Sequence, residues 1–240
     1  RVPKAVQTLA NCILERIPDD RKLSKMWQPR TDEGHVQRVI AIEDVPLEQG
    51  TWLVLGRTHS KLEALKKNLK ERAIYYEYKN RKSYRQRLFR NILNYTRWTN
   101  GGELSLTECK DLFEFLEIEW IKTEERLYKL EEFGFTFEDP WYQVFKSDPE
   151  ESLYIRQMLS NGEKLQDAPR VKLSTIHAAK GGEADNVLLI LDNTKKIREA
   201  VEKNQDKRDE EHRVWYVGVT RTKQNLYIME AKQERNGYDI

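Results

Sequence analysis

"STIHAAKGGEADNVLLILD", Ser174 to Asp192, sets a polar, bendable stretch directly against an apolar run. Val171 to Ile176 and Val187 to Leu191 are both β-rich and apolar, so the polar residues fall between two strands. Parallel sheets collect ligands at the carboxyl ends of their strands. Thr175, His177 and Lys180 therefore fall at or just beyond such an end. A hydroxyl, a ring N–H and a point charge are all good phosphate partners. Gly181-Gly182 lets the backbone approach a ligand closely. Glu183 supplies an acceptor for a sugar hydroxyl. The plainer alternative is a polar loop whose charges are simply solvated.

Working outward, Val6 to Ile17 carries apolar residues at helical spacing between Pro3 and Pro18. Val36 to Ile42, Thr51 to Leu55 and Ala73 to Tyr78 read as strands. Ser60 to Arg72 reads as an amphipathic helix with Leu62, Leu65 and Leu69 on one face. "TDEGH", Thr31 to His35, imitates a metal-holding acidic pair, but Gln28-Pro29-Arg30 precedes it where an apolar strand is needed, so it reads as a turn. From residue 80 to 165 strand signals vanish, and Arg85 to Trp98, Leu106 to Phe115, Glu119 to Phe133 and Pro149 to Gly162 read as helices. Arg208 to Val219 is helix-like and Leu226 to Met229 is a last strand. The expected organisation is a mostly parallel α/β sheet formed by residues 1–79 and 166–240, interrupted by a small helical insertion at 80–165.

The chain has 240 residues, 38% hydrophobic and 34% charged, with Lys+Arg 42 against Asp+Glu 40. Such a balance excludes a uniformly basic nucleic-acid coat and leaves room for a local basic groove. Cys12 and Cys109 are far apart and form neither a disulfide framework nor a zinc cluster, as suits a reducing, cytoplasmic setting. No apolar run approaches the roughly 20 residues needed to cross a bilayer. No signal peptide is visible, and Arg1 in place of a Met suggests a piece of a longer protein.

A second constellation is "EEHRVWYVGVTRTKQNLYIM", Glu210 to Met229. An apolar helix face of Val214, Trp215 and Val217 runs into Thr220-Arg221-Thr222-Lys223. Arg221 is thus held at the end of a buried helix, where a guanidinium can meet charge on a transferring phosphoryl group. The ordinary alternative is a surface Arg favoured by the helix dipole.

Together the two stretches resemble the fifth and sixth motifs of superfamily 1 helicases of the UvrD-like group. The fifth is Thr175-Ile176-His177-Ala178-Ala179-Lys180-Gly181-Gly182-Glu183-Ala184. The sixth is Glu210-Glu211, then Tyr216-Val217-Gly218-Val219-Thr220-Arg221-Thr222-Lys223. "RVPKAVQTLANCI" and "WLVLGRTHSKLEALKKNLKER", Trp52 to Arg72, are similar to two further family segments, with His59 where the family usually has Asn. Gly182 stands in for a bulky apolar residue and Ala184 for an aromatic.

The resemblance implies the second RecA-like lobe of an ATP-dependent DNA helicase with 3′ to 5′ polarity, acting in repair or replication. It implies that Arg221 and Arg1 reach the γ-phosphate of ATP, with Gly182 and Glu183 at the ribose. It implies that Arg57, Thr58, His59, Thr175, His177 and Lys180 line the path of single-stranded DNA. No Gly-x-x-x-x-Gly-Lys-Ser/Thr occurs, so the phosphate loop and the Mg²⁺ ligands are expected in an amino-terminal RecA-like lobe, and this chain alone is expected to be inactive. A nuclease-linked or RNA-directed relative would keep the same motifs. A degenerate lobe that binds nucleic acid or a protein without driving a motor is the rival from another class. In the insertion, fourteen aromatics from Tyr84 to Phe145 beside Arg81, Lys82, Arg85, Arg87 and Arg90 read either as a stacking platform for bases or, preferred for their helical spacing, as a small aromatic core.

Overall fold

A computed structural model describes residues 2–23, 27–120, 122–134 and 137–240. In chain order its elements are α1 (Lys4–Glu15), β1 (His35–Val39), β2 (Trp52–Gly56), α2 (His59–Glu71), β3 (Tyr76–Tyr78), β4 (Arg81–Lys82), α3 (Gln86–Thr99), β5 (Leu104–Ser105), α4 (Leu106–Leu116), β6 (Leu127–Tyr128), α5 (Trp141–Val144), α6 (Pro149–Ser160), β7 (Val171–Thr175), β8 (Ala184–Ile190), α7 (Lys195–Lys203), α8 (Gln205–Val219) and β9 (Thr222–Met229). They form two compact units, Arg1–Arg81 with Lys164–Ile240, and Lys82–Glu163.

The first unit is built on a sheet of order β1-β9-β8-β2-β7-β3-β4. Pairing is parallel between β1 and β9, β9 and β8, β8 and β2, β2 and β7, and β7 and β3. Strict alternation along the central strands splits the core into two layers. Leu53 and Leu55 of β2 and Val187 and Leu189 of β8 face a layer with Val6, Ala10 and Ile13 of α1 and Trp215 and Val219 of α8. Trp52, Val54, Leu188 and Ile190 face the other layer, with Leu62, Leu65 and Leu69 of α2. The near-continuous apolar runs of β2 and β8 follow from burial on both faces.

The start of α1 is fixed by the segment that imitates a metal motif. Lys4 and Ala5 donate their backbone N–H groups to the carbonyls of Asp32 and Glu33 at 3.0 and 2.9 Å, satisfying two groups that a helix start leaves open. Gly34 follows with φ +71°, and a Cβ there would lie 2.3 Å from Pro3 Cβ. At the other end of α1, Arg21 forms ion pairs with Asp206 and with the fully buried Asp209 of α8. Gln205 Nε2 also donates to Asp209 Oδ1 at 2.7 Å.

In the second unit the crowded aromatics are a core. Trp98 is fully buried, donates Nε1–H to the Tyr128 carbonyl at 3.0 Å, and packs edge-on against Phe133 with centroids 5.3 Å apart. Trp120 lies 4.8 Å from Phe113 and 5.2 Å from Tyr128 by ring centroid. Phe135 lies outside the described residues. Of the basic run, Arg87 and Arg90 pair with Asp111 of α4 at 2.6 and 2.8 Å, and Arg87 also pairs with Glu114.

Two stretches depart from sequence expectation. Among the described residues of 119–133 there is no α-helix. Glu117 turns left-handed at φ 54° and ends α4, and Leu127 and Tyr128 pair antiparallel with Ser105 and Leu104. The helix-like spacing there comes from side chains converging on one aromatic cluster from a bent chain. Conversely, α7 is a helix that the sequence reading passes over: it carries no buried residue, and its apolar stripe is short, only Ile197, Ala200 and Val201 at helical spacing among charges.

Two outcomes follow. Gly34→Ala forces a positive φ and an overlap with Pro3, and should lower the unfolding free energy by about 2 kcal/mol or more, measured by denaturant melts; unchanged stability would refute the steric reading. Burial pushes the Asp209 carboxyl up, and the Arg21 guanidinium and Gln205 amide more than offset this, leaving it below the ordinary carboxylate range. The stabilisation from its charge is present above the unfolded value of about 3.9 and lost as pH falls through the folded one. The stability gap between wild type and Asp209→Asn should therefore be full at neutral pH and close in strong acid. A gap that ignores pH would mean the pair does not hold α8.

Candidate functional site

The parallel register brings the chemistry-bearing residues into two groups at opposite ends of the sheet. At the carboxyl ends, Gly56 of β2 lies opposite Thr175 of β7, and Ile176 donates its N–H to the Gly56 carbonyl at 3.1 Å. Arg57, Thr58 and His59 are therefore neighbours of Thr175 and His177. Thr58 occupies the cap position of α2, which begins at His59, one residue before the start expected from the sequence. His59 Nδ1 is hydrogen-bonded to Tyr78 Oη at 3.1 Å, which fixes the ring. Thr175 Oγ1 accepts from the Ala178 N–H at 3.3 Å and organises the turn that follows. His177 and Lys180 project from that turn and are exposed.

The guanidinium of Arg57 is already engaged. Its Nε donates to both carboxylate oxygens of Glu211 at 3.0 Å, and its Nη2 donates to Oε2 at 2.9 Å. Trp215 Nε1 donates to Glu211 Oε1 at 2.8 Å. Arg57 and Glu211 line a cavity of about 350 Å³ with His177, Ile197, Val201, Lys207 and Arg213.

At the amino ends of β8 and β9, Ala184 pairs with Thr222, and Ala184 N–H donates to the Arg221 carbonyl at 3.2 Å. That pairing sets Glu183 and Arg221 side by side, although 38 positions separate them (221 − 183). Both line a cavity of about 260 Å³ with Val2, Gln7, Trp27, Gln28, Tyr216 and Thr220. Arg221 Nε donates to the Val217 carbonyl at 3.0 Å, and among the described residues its terminal nitrogens have no partner. Gly181 sits at φ +89°, where glycine is needed, whereas Gly182 is exposed with an ordinary backbone. Lys180 belongs with neither group alone: it lines a third cavity of about 260 Å³ with His177, Arg213, Val217 and Arg221. Arg1 lies outside the described residues.

The donor set of the Glu183–Arg221 cavity fits a nucleotide. A guanidinium with free terminal nitrogens suits phosphate, and a carboxylate beside it suits a sugar hydroxyl. Among the described residues no group of three or more His, Cys, Asp or Glu side chains is placed to hold a metal. Sequence reasoning overlooks Gln7, Trp27, Gln28 and Tyr216 as cavity lining. It also overlooks Glu211 as the partner of Arg57, because 154 positions separate the two and only the fold joins them.

Comparison with known proteins gives the family. A family model described as the UvrD-like helicase C-terminal domain matches residues 104–233, just over half of the 240 residues. The ATP-dependent DNA helicase Rep of Escherichia coli (strain K12) is 32% identical over 81 residues, covering 34% of this chain and 12% of Rep. A probable DNA helicase II homolog of Rickettsia conorii is 38% identical over 76 residues, covering 29% of this chain and 11% of that protein. DNA helicase II of Rickettsia typhi matches to the same extent. The aligned stretch thus spans only about a ninth of these relatives. The mostly parallel, helix-flanked sheet is that of a RecA-like α/β lobe, and the chain belongs to the UvrD-like helicase C-terminal domain family.

Proposed function

We propose that the first unit is the second RecA-like lobe of an ATP-dependent DNA helicase, and that Lys82–Glu163 is its reduced accessory insertion. The observation that carries this reading is the pairing of β8 with β9, which sets Glu183 beside Arg221 on one cavity while Thr58, His59, Thr175 and His177 occupy the opposite end of the sheet. Arg221 meets the γ-phosphate, joined by Arg1, and Glu183 accepts from the ribose with Gly182 beside it. The phosphate loop and the Mg²⁺ that neutralises the phosphates belong to an amino-terminal lobe across the cleft. Thr58, His59, Thr175, His177 and Lys180 hold single-stranded DNA through its phosphates, a grip that is blind to sequence.

Motion follows from charge. Bound triphosphate draws Arg221 toward the opposite lobe and closes the cleft, and loss of the γ-phosphate releases it. With each lobe gripping the strand, alternate closing and opening moves the strand, 3′ to 5′ in this reading. In this reading the protein works in the cytoplasm; no helix among the described residues is long and apolar enough to cross a membrane.

Arg221→Ala in the intact protein should lower strand-stimulated ATP turnover by about 10³, the scale of an arginine that meets a transferring phosphoryl group. A fall of less than about tenfold would remove that role and favour a lobe that binds without driving a motor. The chain alone should bind single-stranded DNA with an affinity that falls as salt rises, with a log–log slope of about −2 for about three phosphate contacts. Binding indifferent to salt would contradict a phosphate grip.

A further inference from the structure

The sequence puts Arg57 on the strand path, and the structure gives its guanidinium a different partner. Glu211 is 3% exposed and its carboxylate is filled: Arg57 takes both oxygens and Trp215 takes Oε1. The Arg57 side chain is itself only 18% exposed. A desolvated ion pair is weak support for stability, because loss of hydration offsets the attraction. What the two-pronged geometry does supply is a fixed angle and register between the elements it joins.

The geometry points to Arg57 and Glu211 as a positioning pair that couples the strand-binding loop after β2 to Arg221. This rests on the helicase reading above. Arg57 stands between Gly56, whose carbonyl ties the end of β2 to Ile176, and the Thr58-His59 start of α2. Any displacement of Thr58 or Thr175 by a bound strand therefore moves Arg57. Glu211 and Trp215 lie one turn apart on α8, on the face turned to the sheet. Further along α8, a Cβ on Gly218 would lie 3.0 Å from Leu189 Cδ1 and 3.4 Å from Ile176 Cδ1, so the helix rides close on the sheet and moves as a unit. Arg221 sits just past the end of α8, tied by Nε to the Val217 carbonyl of its last turn. A pull on Glu211 is thus delivered to Arg221 about 15 Å along the helix, ten residues at about 1.5 Å each. In this arrangement Arg57 acts on turnover through Glu211 and has no direct part in gripping the strand.

The test uses the intact protein with Glu211→Gln, Arg57→Gln, the double substitution and Arg57→Lys. Strand-stimulated kcat and the Kd for a labelled single-stranded oligonucleotide are read side by side. Each single neutral substitution should lower kcat by about tenfold or more, with the strand Kd shifted by less than about threefold. The double variant should be no worse than the worse single, because the two residues act as a unit. Arg57→Lys should not rescue, since an ammonium cannot bind two-pronged. A strand Kd weakened about tenfold by Arg57→Gln but not by Glu211→Gln would return Arg57 to the strand and overturn the proposal. Multiplicative losses in the double variant would do the same. Where a single substitution unfolds the protein, the double variant and Arg57→Lys decide: wild-type kcat in either one sinks the coupling. A wild-type protein with no strand-stimulated turnover removes the helicase reading itself, and this is seen before any substitution.

Discussion

The parallel pairing of β2 with β7 on one side and β8 on the other is the constraint from which the site follows. Parallel strands point all their carboxyl ends one way, so the loops after β2 and β7 must meet, and the loops before β8 and β9 must meet at the far end. Two chemistries are gathered at different ends of the strands without any residue being chosen to separate them, and the turn after β7 bridges them, where His177, Lys180 and Arg221 line one cavity. One end gathers hydroxyls and imidazoles, and the other gathers a carboxylate and a guanidinium. Burial of β2 and β8 on both faces makes this frame hard to deform, because any slip of one residue would turn an apolar layer toward the wrong side.

A frame that separates two sites also needs something to join them, and α8 is the element that returns from one end to the other. It starts after the carboxyl end of β8 and finishes at the amino end of β9, as a crossover between parallel strands must. Its fifteen residues span about 22 Å at about 1.5 Å each. Two acidic side chains on it are drawn out of water, Asp209 toward Arg21 and Glu211 toward Arg57. The charge on Asp209 stabilises the fold, as its lowered titration requires, but well-packed apolar residues would serve as well or better in such places, so stability alone does not account for either pair. Both pairs tie α8 to neighbouring elements at defined points, in addition to the apolar packing of Trp215 and Val219.

Much of this was legible in the sequence, for identifiable reasons. The runs at Val187 to Leu191 and Thr51 to Leu55 are strands because nothing but double burial calls for such continuous apolar chain, and the helix over His59–Glu71 announces itself by leucines at helical spacing. The sheet fold and the family follow from patterns that are local. What stayed hidden is long-range. Residues 119–133 carry helical spacing, yet among the described ones a two-residue strand and a knot of aromatic rings replace the helix, because tertiary contact outweighs a weak local preference. The cavity beside Arg221 borrows Gln7, Trp27 and Gln28 from the opposite end of the chain, a juxtaposition no spacing encodes. Glu211 is visible as an acid in a motif, and its partner is not.

Arg221 shows why such hidden partners matter to the reading of a motif. An arginine at a helix end is ordinarily a mobile surface group whose long side chain loses conformational freedom whenever it binds. Here the Nε–H is already spent on the helix carbonyl of Val217, so the stem is ordered before any anion arrives, and the terminal nitrogens remain open. The entropy is lost on folding and not on binding, which is the sense in which the group is preorganised. Under the proposed helicase reading, a charge developing in the neighbouring cavity would meet a donor pair that needs little rearrangement. The same tether means that Arg221 moves only as α8 moves. Whatever sets the rotation of that helix sets the reach of the guanidinium, and the coupling proposed above gives that part to Arg57 and Glu211.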